Sequence, residues 1–151
     1  MTVFLDYFKG IFTTSIPTEM EYIFDRVKRR IIEDMNGILM LEFTNEEVRS
    51  ALDQMHLDKA LGPNGMTVGY YKKYWDTVGP DVTRLVLGFL NRGECIQAIN
   101  HTNLVLIQKI KNPFTPKDYR LISLCNVSYK IISMVLVNRL KVVLPEIIDE
   151  S

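Results

Sequence analysis

Two short apolar runs, Asn103–Lys109 and Tyr119–Leu124, have strand character in a chain whose other apolar residues recur at helical spacing. Nine residues that include Pro113 and Pro116 join them, which makes a long-looped hairpin. A single two-stranded ribbon is marginal by itself and cannot supply a core. The expected fold class is therefore α+β, mainly helical, with one β-hairpin. At 151 residues and 47% hydrophobic content, the chain has the size of one ordinary domain.

The helices are marked by periodicity and punctuation. Phe4, Leu5, Phe8, Ile11 and Phe12 form one apolar series, and Ile23, Val27, Ile31, Ile32 and Met35 form another. Thr44 with Glu47 three residues on is a capping box, after which Val48, Ala51, Leu52 and Met55 supply a buried face. Gly62-Pro63-Asn64-Gly65 is a turn signal, because proline presets one backbone angle and Asn or Gly tolerates positive φ. Tyr70, Tyr71, Tyr74 and Trp75 fall in the next helix; Val82, Leu85, Val86, Phe89 and Leu90 mark another that Gly93 can end. The last helix is expected from an Asn126 N-cap to about Val143, with Pro145 just beyond. Its apolar residues are not confined to one stripe, so burial against more than one layer is expected, with polypeptide outside this stretch covering one side.

Net charge is zero, which argues against binding a polyanion through bulk positive charge. The average hides a gradient. Residues 1–60 carry 7 Lys/Arg against 11 Asp/Glu, and residues 61–151 carry 11 against 7. Between positions 100 and 141 lie Lys109, Lys111, Lys117, Arg120, Lys130, Arg139 and Lys141, against the single acid Asp118. That window is the candidate anion-binding surface. Cys95 and Cys125 do not make a disulfide framework. With no basic leader and no run near the roughly 18 apolar residues of a membrane span, the expected location is intracellular, nuclear or cytoplasmic, with no membrane partner.

Few constellations carry chemistry. Cys95, Cys125, His56 and His101 are too scattered for a zinc site, and no Gly-Lys-Ser/Thr follows the Gly-Pro-Asn-Gly turn. Tyr70, Tyr71, Tyr74 and Trp75 beside Lys72 and Lys73 fit either a base-stacking platform or a core stripe. The adjacent acidic pairs Glu33-Asp34 and Glu46-Glu47 diverge on helices, where first-turn placement explains them. The hairpin is different. Lys109 and Arg120 can project from one ribbon toward a single polyanion, a guanidinium fork beside an ammonium point charge. A solvated basic face remains the other reading.

Taken together, YFKGIFTTS (Tyr7–Ser15), FTNEEVRSALDQMHLDKALGPNGM (Phe43–Met66), FLNRGE (Phe89–Glu94), INHTNLVLIQKIKNP (Ile99–Pro113) and DYRLISLCNVSYKIISMVLVNRL (Asp118–Leu140) resemble the reverse transcriptase of LINE-type, non-LTR retrotransposons of the kind found in plant genomes. The segments occur in family order and cover most of the chain. The resemblance implies the fingers and partial palm of a right-hand polymerase. Residues 1–60 would be a helical region preceding the polymerase core, and 61–151 the fingers and the start of the palm. It implies that Lys109 and Arg120 contact nucleotide and template, with Lys111, Lys117 and Lys130 along the nucleic-acid backbone. The implied partners of an intact relative are an RNA template, a DNA primer and a dNTP, with Mg²⁺ as its metal.

Departures accompany the matches. The family usually has proline and aspartate where this chain has Leu61 and Asn64, and proline where it has Gln108 and Leu121. Each lost proline removes on the order of 0.4–1 kcal/mol of preorganisation where the native geometry suited it. The family holds two magnesium ions on palm aspartates, one set in a Tyr-x-Asp-Asp motif that this sequence lacks. The chain alone is therefore expected to have no cofactor and no polymerase activity. Two further expectations compete with that of an inactive reverse transcriptase fragment: a residual nucleic-acid-binding module, and an inert helical protein that associates through an exposed apolar side.

Overall fold

The computed structural model describes residues 2–14, 32–97 and 99–148. Along the chain run α1 (Thr2–Phe12), α2 (Glu33–Met40), α3 (Asn45–Asp53), α4 (Val68–Lys73), α5 (Trp75–Arg92), β1 (Asn103–Gln108), a 3₁₀ turn (Pro116–Asp118), β2 (Tyr119–Leu124) and α6 (Val127–Ile147). The two strands form one two-stranded sheet. The expectation of a mainly helical protein with one hairpin is met. Most of the expected helix through Ile23, Val27 and Ile31 lies outside the described residues; α2 begins at Glu33, with Glu33 and Asp34 in its first turn.

The chain forms two compact units, residues 1–29 with 105–122, and residues 30–104 with 123–151. Helix α3, from the front half of the sequence, packs directly on α6.

The larger unit is held by a core from four helices: Val48 and Leu52 of α3, Val68 and Tyr71 of α4, Val82 and Val86 of α5, and Ile131, Ile132 and Val135 of α6. Each helix contributes residues three or four apart, the spacing that brings side chains to one face. The ends obey local rules. Thr44 Oγ1 accepts from Glu47 N at 3.3 Å while a Glu47 carboxylate oxygen accepts from Thr44 N at 2.8 Å, completing the capping box. Thr67 caps α4 by accepting from Tyr70 N. Gly93 closes α5 with φ 66°, the left-handed geometry that favours glycine.

One expectation about α6 is corrected. It does not end near Val143 but continues to Ile147 with Pro145 inside it. A proline in the last turn removes one bond, to the carbonyl four residues back, and Ile148 N still reaches Leu144 O at 3.0 Å. Its apolar residues also divide. Val127, Ile131, Ile132, Val135 and Val143 are buried, whereas Leu136, Val137, Leu140 and Val142 are exposed. Asn126 is the N-cap residue by position, yet its side chain makes no capping bond.

That side chain is used elsewhere. Asn126 is buried, accepts from Asn64 N at 3.1 Å and donates to Ile99 O at 3.1 Å. It thereby ties the Gly62–Gly65 turn to the start of α6. A Cβ on Gly62 would lie 2.5 Å from Cys125 O and 2.6 Å from Asn126 Cα, so glycine is required there for close backbone approach.

Candidate nucleotide and nucleic-acid site

The smaller unit contains most of the hairpin. Lys109 N donates to Asp118 O at 2.7 Å, carrying the ladder one step beyond β1. With strands 103–108 and 119–124, this sets a register in which Gln108 faces Tyr119, Ile107 faces Arg120 and Val105 faces Ile122. Side chains alternate across a strand, so Lys109, Ile107 and Val105 share one face with Asp118, Arg120 and Ile122. Lys109 and Arg120 are then diagonal neighbours, with backbones roughly 7–8 Å apart. The sequence-expected pair is brought to one side of one ribbon.

The opposite face carries Tyr119 and Leu121, both partly buried. Phe4 of α1 meets the Tyr119 ring edge-on at 5.3 Å between centroids. Among the described residues the Lys109/Arg120 face has no such cover: Arg120, Val105, Ile107 and Ile122 are all exposed. A surface of β-branched side chains interrupted by two cations suits a ligand with apolar and anionic parts, as a nucleotide has.

The tip between Lys109 and Asp118 is internally fastened. An Asp118 carboxylate oxygen accepts from Thr115 N at 2.7 Å, Phe114 N at 2.9 Å and Thr115 Oγ1 at 3.0 Å. Those donors, the Thr115 amide foremost, hold its carboxyl below the usual aspartate range, with Lys109 contributing. Lys109 Nζ donates to Lys117 O at 2.7 Å, which uses one of three ammonium hydrogens and leaves two for a ligand. Asn112 adopts φ 60°, which asparagine tolerates. Among the described residues, the side chains of Lys111 and Arg120 make no hydrogen bond or ion pair, and both residues are exposed.

Of the other bases in the window, Lys141 is exposed on α6, whereas Lys130 and Arg139 are engaged within the fold. Lys130, expected on the nucleic-acid backbone, donates to Ala60 O at 2.7 Å and is partly buried, so its ammonium serves the fold. Arg139 grips Glu47 with Nε at 2.7 Å and a second nitrogen at 2.9 Å, and also donates to the carbonyls of Leu41 and Glu42. Its guanidinium lies 3.6 Å from the Phe43 ring centroid, and its side chain is 10% exposed. The Arg139 hydrogen bonds hold the Glu47 carboxyl below its ordinary range against the opposing effect of burial. Glu47 is thus a buried-side clasp and not merely a first-turn acid. The 100–141 window is not one binding face; the freely presented cations concentrate in the hairpin.

The aromatic stripe resolves toward structure. Tyr71 is buried, Tyr70 and Trp75 pack against the core, and Lys72 Nζ donates to the carbonyls of Asp53 and Met55 at the end of α3. Tyr74 remains exposed. Among the described residues no three His, Cys, Asp or Glu side chains converge to hold a metal. No described helix is long and apolar enough to cross a membrane.

Sequence reasoning missed Asp118 as the organiser of the tip, although Thr115-x-x-Asp118 carries a capping-box spacing that signals it. It also missed the Arg139–Glu47 clasp, whose partners are 92 positions apart and leave no local trace.

No protein-family model matches the chain. It is 34% identical over 110 residues to an uncharacterised 149 kDa protein of transposon TX1 from Xenopus laevis, a match that covers 72% of this chain. The chain spans 8% of that relative's length. This sequence is therefore related to a transposon-encoded protein.

Proposed function

We propose that this transposon-related chain is the fingers side of a reverse transcriptase, in which the Lys109/Arg120 face of the hairpin grips the phosphates of nucleotide and template. The observation that carries the reading is the register: it sets an ammonium and a guanidinium diagonally on the uncovered face of one ribbon. A guanidinium engages phosphate oxygens in a bidentate fork while the ammonium neutralises a neighbouring oxygen. The apolar residues beside them, Ile107 and Ile122, offer contact to a base or ribose. In the intact enzyme the RNA template, DNA primer and dNTP are the partners, the magnesium-holding carboxylates come from palm polypeptide, and that polypeptide covers Leu136, Leu140 and Val142 of α6. The isolated chain then binds without polymerising.

The test is the affinity of the isolated chain for single-stranded RNA as salt is raised. Four hairpin cations, Lys109, Lys111, Lys117 and Arg120, give a slope of log affinity on log salt of about −3 at full engagement. Lys109→Gln with Arg120→Gln should remove roughly 1.4 of that slope. Binding that is undetectable at about 50 mM salt, or flat as salt rises, contradicts the reading. So does measurable primer extension by the chain alone with Mg²⁺, because the proposal assigns the metal-holding carboxylates to other polypeptide.

A further inference from the structure

The most exposed large apolar residue of the hairpin lies at its tip, not on its phosphate-facing side. Phe114 is 98% exposed. An aromatic ring in water is costly to maintain, and a loose tip would fold it back onto neighbouring apolar groups. This tip is not loose. The Phe114 amide donates to Asp118, the same carboxylate takes both Thr115 donors, and Lys109 closes the loop from the other side through Lys117 O. The backbone on which the ring is mounted is thus fixed by the one acid of the tip.

Charge says what such a ring faces. Residues 109–118 carry Lys109, Lys111 and Lys117 against Asp118, whose carboxylate is committed to three hydrogen bonds within the tip. A protein-docking aromatic would not require three lysines around it, whereas an unpaired base attached to phosphates matches both the ring and the cations.

We propose that Phe114 is a base-stacking platform for single-stranded nucleic acid, with Lys111 and Lys117 taking the flanking phosphates. This deepens the proposed function and rests on its assignment of the hairpin to nucleic acid, but adds a contact that the Lys109/Arg120 pair does not supply. The ring reads no sequence, since every base offers a π-face.

The experiment measures binding of the full chain to a single-stranded RNA 12-mer and to an abasic ribose-phosphate oligomer of the same length, across a salt series. Phe114→Ala should weaken RNA binding roughly five- to hundredfold with the salt slope unchanged, and Phe114→Tyr should restore it. The abasic oligomer should bind wild type and Phe114→Ala alike. Equal weakening on both oligomers, or a lowered salt slope, overturns stacking in favour of a general disturbance of the tip. If Phe114→Ala binds RNA normally while Lys109→Gln with Arg120→Gln weakens it, stacking fails and the phosphate grip stands; if neither set changes binding, both fail. Loss of self-association in Phe114→Ala with RNA affinity intact reassigns the ring to a protein contact and likewise overturns the proposal.

Discussion

Arg139 and Arg120 carry the same guanidinium into different surroundings. In the helical unit, Arg139 is enclosed by a carboxylate, backbone carbonyls and the Phe43 ring, so its bonding capacity is consumed by the fold. In the hairpin, Arg120 stands exposed on a two-stranded ribbon with no partner among the described residues. Lys130 and Lys111 repeat the contrast, one donating to Ala60 O and the other unengaged. Counting positive residues along a sequence cannot separate these uses. What separates them is whether the side chain sits where carbonyls need a donor.

The contrast breaks most readily at Arg139. Arg139→Ala leaves Glu47 and several carbonyls without their donor, and should cost about 2–4 kcal/mol by urea denaturation while RNA affinity stays unchanged. A cost below about 0.5 kcal/mol would place Arg139 with the surface cations instead. Gly62→Ala forces a methyl into the Cys125–Asn126 backbone, and should cost about 1–3 kcal/mol or more; an unchanged midpoint would show that the turn is not held there.

Smaller effects sharpen the comparison. Phe4→Ala removes the ring that covers Tyr119, at a cost of about 1 kcal/mol, read as faster amide exchange in residues 105–122. Acid should act on the helical unit through Glu47. Because the native carboxyl is held below its unfolded range, its stabilising contribution is present above that range and is lost as pH falls through the depressed native value. Glu47→Gln should flatten that acid decline, and parallel stability profiles for the two proteins would remove Glu47 from the account. Smallest in stability is Arg120→Gln, within about 0.5 kcal/mol of wild type, though it lowers the salt slope of RNA binding by about 0.7.

Much of the fold was legible because its signals are local. The Thr44–Glu47 box, the Gly93 terminator and the spacing of Val82, Val86 and Phe89 act within a few residues, and the helices begin and end accordingly. The hairpin was legible from two β-rich runs and two prolines, and its register then followed from a single bond, Lys109 N to Asp118 O. The extension of α6 through Pro145 was not, since a proline one turn from a helix end is tolerated and one just past it looks the same in sequence. The roles of Arg139, Lys130 and Asn126 depend on partners 92, 70 and 62 positions away, which no periodicity encodes. Of the candidate site, Lys109 and Arg120 were marked by their places on the two expected strands and then by motif resemblance, while Phe114 emerged only from its exposure and the bonds that fix its backbone.

The most direct test maps where single-stranded RNA touches the chain, by amide chemical-shift changes during titration at low salt. The account predicts shifts concentrated in residues 103–124, largest around Lys109, Phe114 and Arg120, with α3 and α5 unmoved. Shifts centred on α3 and α5, with the hairpin silent, would contradict it.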